Sequence, residues 1–358
     1  MKKWTIRKIW VSLFSSAWVA ETYLKDSWID VVVANEIVKD RATLHQKIYK
    51  DTLMIQWDIM DKEVFSKILN KSWKDIDFLI AWPPCQWVSV AGKNRNLNEM
   101  LKDSRNYLIK RVIEFIKLKK PKYIMIENVP AYLKLKLPHK WNLATIIEIL
   151  QDCFWKEYNV ESRVLDSSEY GVPQKRTRAI IKLYKKWLLR WRPKKERKIT
   201  VKDAIWHLPS LESWEKSSIP HHYARQHTKE HVLWMKHTPS WHSAIENLKY
   251  FPAKKDWTRI SSYGSSYRRI KWDEPAPTIT MRNDAISSQR NVHPWKLKKD
   301  WTYSDARVLT PLELMILSSL PKKWAIPVDT PESLIRKCLG ECIPPLLVKK
   351  VVDCIWKA

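Results

Sequence analysis

Short apolar runs alternate with helical patterns through the first half of the chain, and this alternation restricts the possible folds more than any other feature. A run of about four to eight apolar residues between helices is typical of a strand buried on both faces. Strands that alternate with helices predict an α/β fold, in which helices cover both faces of a parallel sheet. The predicted strands are residues 8–15, 30–34, 52–56, 77–81 and 123–127.

The second half of the chain has a different composition. From about Lys185 charge, Pro, Ser and His dominate, and helical patterns return only near the end. We therefore expect a domain boundary near Lys185, which separates 1–184 from 185–305, and a C-terminal segment, 306–358, that packs back onto the first domain. Helices are predicted over 104–118, 143–153, 311–320 and 344–355, and an antiparallel strand pair over 161–165 and 178–183.

The charge of the chain favours a polyanionic partner. Lys and Arg number 65 against 38 Asp and Glu, which gives a formal net charge of +27. This excess excludes an acidic solvating chain. With 358 residues, 45% of them hydrophobic, the chain can bury a sizeable core and is not a disordered polycation.

The cysteines and the N-terminus both bear on location. Five Cys without a C-x-x-C pair exclude a disulfide framework and disfavour structural zinc, so we expect a reducing cytoplasm. The first twenty residues imitate a secretory signal, but Arg7 and Lys8 interrupt the apolar stretch, and the same residues fit the first strand. No run of 18 apolar residues occurs, so no membrane span is predicted.

Tryptophan and glycine are present in abnormal numbers. The chain has 22 Trp and only 4 Gly, whereas Gly usually makes up about 7% of a protein. Together the two types occupy about the share that they occupy together in ordinary proteins. We hypothesise that UGA codons, which the source organism reads as glycine, are written here as tryptophan. The alternative is a fold that is truly rich in Trp.

A stiff turn follows the predicted strand 77–81. Its sequence is Ala-Trp-Pro-Pro-Cys-Gln, residues 81–86. Two prolines fix the backbone at the carboxyl end of a strand, where open α/β sheets bind ligands. Cys85 on this turn is a candidate nucleophile, although a lone Cys can equally be a buried structural residue.

Two further motifs carry polar side chains. Glu127 and Asn128 end a buried strand, where a carboxyl group in a water-poor cleft can donate or accept a proton, or simply cap a helix. In an extended segment, Gln174, Arg176 and Arg178 would point to the same side, because side chains alternate along a strand. Three such groups suggest contacts to an anion and a base, although a solvated edge strand is also consistent with them.

Taken in this order and spacing, these motifs resemble the DNA cytosine-5 methyltransferase family, of the bacterial restriction-modification type, over nearly the whole chain. The match includes the Pro-Pro-Cys-Gln turn, the Glu-Asn-Val strand end and the Gln-x-Arg-x-Arg strand. Later landmarks of the family are the segments 277–280, 307–313 and 340–345. The resemblance implies a Rossmann-like S-adenosylmethionine-dependent methyltransferase sheet in a catalytic and cofactor-binding domain, 1–184, and a smaller target-recognition domain, 185–305.

The resemblance also implies an activity. Cys85 would attack carbon 6 of a cytosine flipped out of double-stranded DNA, and protonated Glu127 would hold ring nitrogen 3. Arg176 and Arg178 would orient the base and phosphate, Asn128 would brace the loop, and Gln174 belongs to the same catalytic set. A cognate restriction endonuclease and a monomeric state are further expectations.

S-adenosylmethionine is the cofactor that the resemblance implies. Its methionyl end would approach the turn that follows the first strand, Glu36 would hold the two ribose hydroxyls, and Asp58 would contact the adenine amino group. The complete implied set is Phe14, Ser15, Ser16, Ala17, Trp18, Glu36, Ile37, Asp58, Ile59, Pro83, Leu108 and Glu341.

The departures from the family mostly concern glycine. The family expects Gly at or beside Trp18, Trp57, Trp82 and Trp87, and Asn is more usual than Glu341. An indole at Trp18 or Trp82 would fill the space of the cofactor or of the base, and it disfavours the positive φ that Gly permits. If the Trp residues are literal, a catalytically silent DNA-binding relative is an alternative.

The substrate and a possible metal each leave a second interpretation open. A transfer-RNA cytosine-5 methyltransferase shares the catalytic motifs, but the basic insert before Asp305 favours DNA. Six His between His221 and His242 could suggest a metal, but no Cys lies near them. We expect no metal, and a DNA-facing or solvated surface for these histidines.

Overall fold

The computed structural model describes most of the chain. The described residues are 8–17, 19–27, 29–84, 101–188, 192–260, 264–321, 326–327 and 329–356, without the side chains of 27, 355 and 356. They form two compact units. The first contains residues up to 166, 177–194 and 348–358, and the second contains 167–176 and 195–347.

A seven-stranded sheet is the centre of the first unit. The strands are β1 Lys8–Leu13, β2 Ile29–Glu36, β3 Leu53–Gln56, β4 Phe78–Ala81, β5 Tyr123–Asn128, β8 Tyr158–Asp166 and β9 Thr177–Lys185; a separate hairpin pairs β6 Lys136–His139 with β7 Asn142–Thr145. The sheet order is β3-β2-β1-β4-β5-β9-β8, with parallel pairing from β3 to β5 and antiparallel pairing of β9 with both β5 and β8.

Helices of the first unit begin at side-chain caps or bury an apolar face. They are α1 Lys39–Ile48, α2 Lys62–Lys71, α3 Ile109–Lys119 and α4 Ile146–Phe154. The Asp61 carboxylate caps α2, and Thr145 forms a capping box with Glu148 at the start of α4. The core between sheet and helices is made mainly of Val, Ile, Leu and Phe side chains.

The predicted α/β class is confirmed. All five predicted parallel strands form, and 161–165 pairs with 178–183 as an antiparallel ladder inside β8 and β9. The direction in which the strand order runs reverses between β1 and β4, and an open α/β sheet binds its ligand at such a reversal. A ligand site is therefore expected at the carboxyl ends of β1, β2, β4 and β5.

The second unit has little regular structure and a small apolar core that includes Met235, Ile286 and Val308. The boundaries of the two units differ from the predicted domains: residues 306–347 belong to the second unit, and only 348–358 to the first. The functional division into 1–184, 185–305 and 306–358 stays a prediction.

The remaining helices are α5 Val201–Ile205, α6 Lys229–Lys236, α7 Pro311–Leu317, α8 Glu332–Glu341 and α9 Pro345–Trp356.

Among the residues with described positions, no helix has the length and apolar character needed to cross a membrane.

Candidate active site

Glu36 closes the turn that follows β1. Its carboxylate accepts hydrogen bonds from the backbone N–H groups of Ser16, at 2.8 Å, and Val38, at 2.9 Å. The residue is 5% exposed. Because a carboxylate oxygen has more than one lone pair, each oxygen can still accept another donor. Glu36 therefore lies at the carboxyl end of β2 with capacity for a hydroxyl group.

The turn itself has an unusual backbone. Phe14 and Ser16 have φ values of 59° and 53°. Ser15 is buried between them, and its hydroxyl donates to the Ser12 carbonyl at 3.0 Å. Ala17 is also buried, whereas Trp18 lies outside the described residues. Small side chains thus occupy the part of the turn that approaches Glu36.

Asn35 joins the ends of β2 and β3, a role that the sequence did not reveal. Its side-chain amide donates to the carbonyls of Ile55, at 2.9 Å, and Trp57, at 3.1 Å. Asp58 follows, exposed, with Oδ1 accepting the N–H of Met60 at 2.9 Å. The sequence did offer one signal for this role, because the amide of Asn35 directly precedes the acid Glu36 at the end of a predicted strand.

Trp57 has a φ of 134°, a region that L side chains rarely adopt. Its N–H donates to the Glu36 carbonyl at 3.2 Å, and its side chain is 65% exposed. Trp82, in contrast, is not among the positive-φ residues of the described backbone. Its indole N–H is buried, and no described residue places an acceptor within hydrogen-bonding distance of it.

Asn128 connects the end of β5 to the turn after β4. Its Nδ2 donates to the Pro83 carbonyl at 3.0 Å, and its Oδ1 accepts the N–H of Val129 at 2.8 Å. Both Asn128 and Pro83 are buried. Cys85, two residues further along this turn, lies outside the described residues, as does Trp87.

Glu127 forms an ion pair with Arg178. The Arg178 Nε lies 2.8 Å from Glu127 Oε1, and the two side chains are 13% and 12% exposed for Arg178 and Glu127. The pair joins β5 and β9. A guanidinium group in this position fixes the direction of the carboxylate and adds positive charge beside it.

Gln174 and Arg176 both contact the Ile279 backbone, whereas Arg178 contacts Glu127, so the three side chains do not share one partner. β9 begins only at Thr177, so the alternation of a strand does not extend back to 174. The buried Arg176 guanidinium donates to the carbonyls of Ile279, Gly340 and Glu341 at 2.7–3.0 Å.

Gln174 and Gly340 lie in the same packed region of the second unit. Gln174 Oε1 accepts the Ile279 N–H at 3.3 Å. A Cβ at Gly340 would lie 2.4 Å from the Thr280 carbonyl oxygen, so only glycine fits there. Glu341 ends α8, and its cofactor role stays a prediction.

The other predicted cofactor residues differ in exposure. Ile59 is buried, Ile37 is 56% exposed, and Leu108 is partly buried just before α3. Their roles, like those of Phe14, Ser15, Ser16 and Ala17, stay predictions.

The prediction of a solvated histidine surface is wrong for His222. This side chain is 1% exposed, with Nδ1 3.1 Å from the Thr310 hydroxyl and Nε2 3.0 Å from the Pro209 carbonyl. His227 is partly buried, and burial, reinforced by nearby positive groups, lowers its pKa to about 4. No group of three or more possible metal ligands occurs among the described residues.

Two buried polar groups were not foreseen. In the first unit, His45 Nε2 lies 2.9 Å from Glu21 Oε2, with both side chains almost fully buried. In the second unit, Arg307 pairs with Asp305 and Glu313, each at 2.8 Å, and all three are buried. Local sequence patterns gave no signal for the first pair, because its partners are 24 positions apart.

The first unit offers groups that fit S-adenosylmethionine. The Glu36 carboxylate can accept ribose hydroxyls, the exposed Asp58 can accept an amino group, and the turn at 14–17 carries small or partly buried side chains. All lie at the carboxyl ends of the adjacent strands β1, β2 and β3. This arrangement fits a nucleoside whose ribose and base follow the sheet edge.

Comparisons with known proteins identify the family of the chain. Residues 10–357 match the family described as C-5 cytosine-specific DNA methylase. The Type II methyltransferase M1.HgaI of Avibacterium volantium is 54% identical over 95% of this chain and 96% of its own length. M1.HphI of Haemophilus parahaemolyticus is 25% identical over 97% and 86%.

A solved structure also shares the fold. An Escherichia coli prophage protein described as a DNA modification methyltransferase superposes with a TM-score of 0.69 at 19% identity, covering 98% of this chain and 99% of the other. The chain therefore belongs to the C-5 cytosine-specific DNA methylases, enzymes that transfer a methyl group to carbon 5 of cytosine in DNA.

Proposed function

We propose that this enzyme methylates one cytosine within a specific double-stranded DNA sequence, with S-adenosylmethionine as methyl donor. The observation that carries the proposal is the hydrogen bond from Asn128 to the Pro83 carbonyl. It ties the strand end that bears Glu127 to the turn that leads into Cys85. The two groups that the chemistry needs therefore start from adjacent strands, β5 and β4.

The proposed reaction begins with the Cys85 thiolate, which attacks carbon 6 of the cytosine ring and forms a sulfur–carbon bond. Glu127, in its protonated form, donates a hydrogen bond to ring nitrogen 3 and stabilises the negative charge that this attack sends into the ring. Carbon 5 thereby becomes nucleophilic. S-adenosylmethionine, when bound, would supply an electrophilic methyl group, and the bond that carbon 5 forms to it would replace the methyl–sulfur bond, so that S-adenosylhomocysteine leaves. The carbon 5 proton is then lost to solvent, and its electrons re-form the ring double bond and expel the Cys85 thiolate.

Arg178 is proposed to keep the Glu127 carboxylate directed, through their 2.8 Å contact. Arg176 is proposed to act differently from the role that the resemblance implied. Its three carbonyl partners occupy the guanidinium, so it organises the second unit instead of holding a base or phosphate.

DNA as the substrate agrees with the formal charge of +27, because cations that neutralise phosphates dominate the affinity for a duplex. Chemistry at carbon 5 requires that the base leave the stack, so base flipping is part of the proposal. Sequence recognition is assigned to residues 185–305. A transfer-RNA substrate is not favoured, because the relative at 54% identity is a Type II methyltransferase.

Three finer expectations belong to the same proposal. A Type II relative suggests a restriction-modification system, and therefore a cognate restriction endonuclease. A monomer in the cytoplasm is also proposed, the cytoplasm because the five cysteines contain no paired motif.

Covalent capture tests the nucleophile. A duplex containing 5-fluorocytosine should form an adduct with the wild-type enzyme, since fluorine cannot leave as a proton does. Cys85→Ser should form none and should lose methyl transfer, while its DNA affinity stays near wild type. Cys153→Ala, a change of another free and partly buried cysteine, is the matched control. Full activity in Cys85→Ala would overturn the assignment.

Exchange of residues 190–300 with the corresponding segment of a relative that methylates a different sequence tests the recognition region. The methylated sequence should change to that of the donor, as bisulfite mapping would show. An unchanged sequence would place recognition outside this region.

A further inference from the structure

Six tryptophans of the described backbone have positive φ values. For a bulky L side chain this is an outlier, because Cβ then crowds the neighbouring carbonyl oxygen. Values above 100° lie outside even the left-handed helical region, which is centred near about +60°. The six are Trp57 at 134°, Trp214 at 81°, Trp241 at 67°, Trp257 at 63°, Trp295 at 115° and Trp301 at 62°.

Two of these tryptophans occupy the same position in two turns of identical sequence. Residues 254–258 and 298–302 both read Lys-Lys-Asp-Trp-Thr. In each, the N–H of the first lysine donates to the threonine carbonyl, at 2.8 and 2.9 Å, and the Trp N–H donates back to that lysine, at 3.0 and 3.1 Å. The aspartate Oδ1 accepts the threonine N–H at 3.0 Å in both.

Both turns close antiparallel bridges, Ala253 with Arg259 and Leu297 with Tyr303. They are hairpins with a three-residue loop whose last residue is left-handed. In such hairpins that residue is normally glycine, and Asp-Gly is a common turn sequence. The hydrogen bonds and the preceding aspartate are thus those of an Asp-Gly turn, with Trp in the place of Gly.

Four of the six tryptophan side chains also gain little from being indoles. Trp57, Trp214, Trp257 and Trp301 are between 65% and 85% exposed. Indole rings stabilise proteins chiefly by burying a large apolar surface. Trp10 shows the ordinary case: it is fully buried in β1, and its ring stacks on Phe78 at a centroid distance of 4.0 Å.

We propose that the protein made by the source cell carries glycine at positions 57, 257 and 301, and at 214, 241 and 295, through UGA codons decoded by a glycine-carrying transfer RNA. Backbone conformation supports this independently of composition and of the family motifs. At position 57 the consequence is functional, because this residue separates β3 from Asp58 and donates to the Glu36 carbonyl.

Mass spectrometry of the protein isolated from its source tests the proposal directly. Peptides that span 57, 257 and 301 should have masses lower than the printed sequence requires, by the difference between tryptophan and glycine at each position. Tryptophan at both 257 and 301 in native peptides would overturn the proposal.

A variant series tests the backbone argument in the protein as printed. Trp257→Gly and Trp301→Gly should raise the midpoint of thermal unfolding, and Trp257→Ala and Trp301→Ala, which also remove the indole but keep a Cβ, should raise it less or not at all. Trp10→Gly should lower it, because a packed ring is lost. Equal effects of Ala and Gly at 257 and 301 would contradict the need for glycine there. If the printed protein does not fold, the native masses decide alone.

Discussion

Arg178 and Glu127 meet because of the register between two antiparallel strands. Glu127 in β5 lies opposite Ile180 in β9, and Arg178 is two residues away on the same face. This diagonal relation brings Arg178 Nε to 2.8 Å from Glu127 Oε1. The orientation of the Glu127 carboxylate thus depends on strand pairing as well as on its own strand.

Glu127→Gln is expected to lower the rate of methyl transfer by about 100-fold or more, because one group that stabilises developing charge is altered. The fold and DNA affinity should change little, since the side chain keeps its shape. Initial rates with a saturating duplex measure this. Arg163→Ala, which removes an exposed arginine from β8, the edge strand beyond β9, serves as the control and should retain activity. A Glu127→Gln enzyme with the wild-type rate would contradict the role.

Arg176→Ala should destabilise the protein by about 3 kcal/mol or more, because hydrogen bonds from a charged group are worth about 1.5–3 kcal/mol each and the buried carbonyls lose their donor. Lys175→Ala is the matched control. Its ion pair with Glu274 is 44% and 37% exposed, so its loss should cost less than about 1 kcal/mol. Urea unfolding measures both. An Arg176→Ala protein of normal stability that cannot methylate would instead favour a contact with the base.

Glu21→Gln should weaken the first unit by about 1.5–3 kcal/mol, because His45 loses a charged hydrogen-bond partner in a buried place. Asp51→Asn removes an acid from the exposed pair with Lys25 and should have almost no effect. Thermal unfolding compares the two. Equal midpoints for both variants would show that the buried pair adds nothing.

Stability should fall as the pH falls. Burial alone would raise the pKa of Glu313, but the charge and hydrogen bonds of Arg307, with His293 nearby, outweigh it and lower the pKa to about 2. Burial lowers the pKa of His293 to about 4, against the pull of Asp305 and Glu313.

Both shifts act in the same direction. Between pH 6.5 and about 4, His293 is protonated in the unfolded state and not in the folded state. Between pH 4.5 and about 2, the same is true of Glu313. The free energy of unfolding, measured in urea at several pH values, should therefore decline from pH 6.5 downward. His293→Gln should flatten the upper part of this decline. An unchanged slope in that variant would assign it to other groups.

The sheet could be predicted from the sequence because buried parallel strands are continuous apolar runs, and those runs are local. Glu36 and Asp58 could be placed at strand ends for the same reason. The contacts of Arg176 could not be predicted, because its partner Ile279 is 103 positions away and β9 begins only at Thr177. The division of the C-terminal segment between two units likewise depends on packing that no local pattern encodes.

The double use of the Glu36 carboxylate has a consequence for measuring cofactor affinity. Its oxygens already hold the N–H groups of Ser16 and Val38, so the group that would bind the ribose also determines the shape of the turn that would receive the methionyl end. Truncation of the side chain at position 36 would remove the ribose contact and the hydrogen bonds that shape the turn at the same time. A fall in affinity for Glu36→Ala would thus contain the cost of reorganising an empty turn, and it would overestimate the strength of the ribose contact itself.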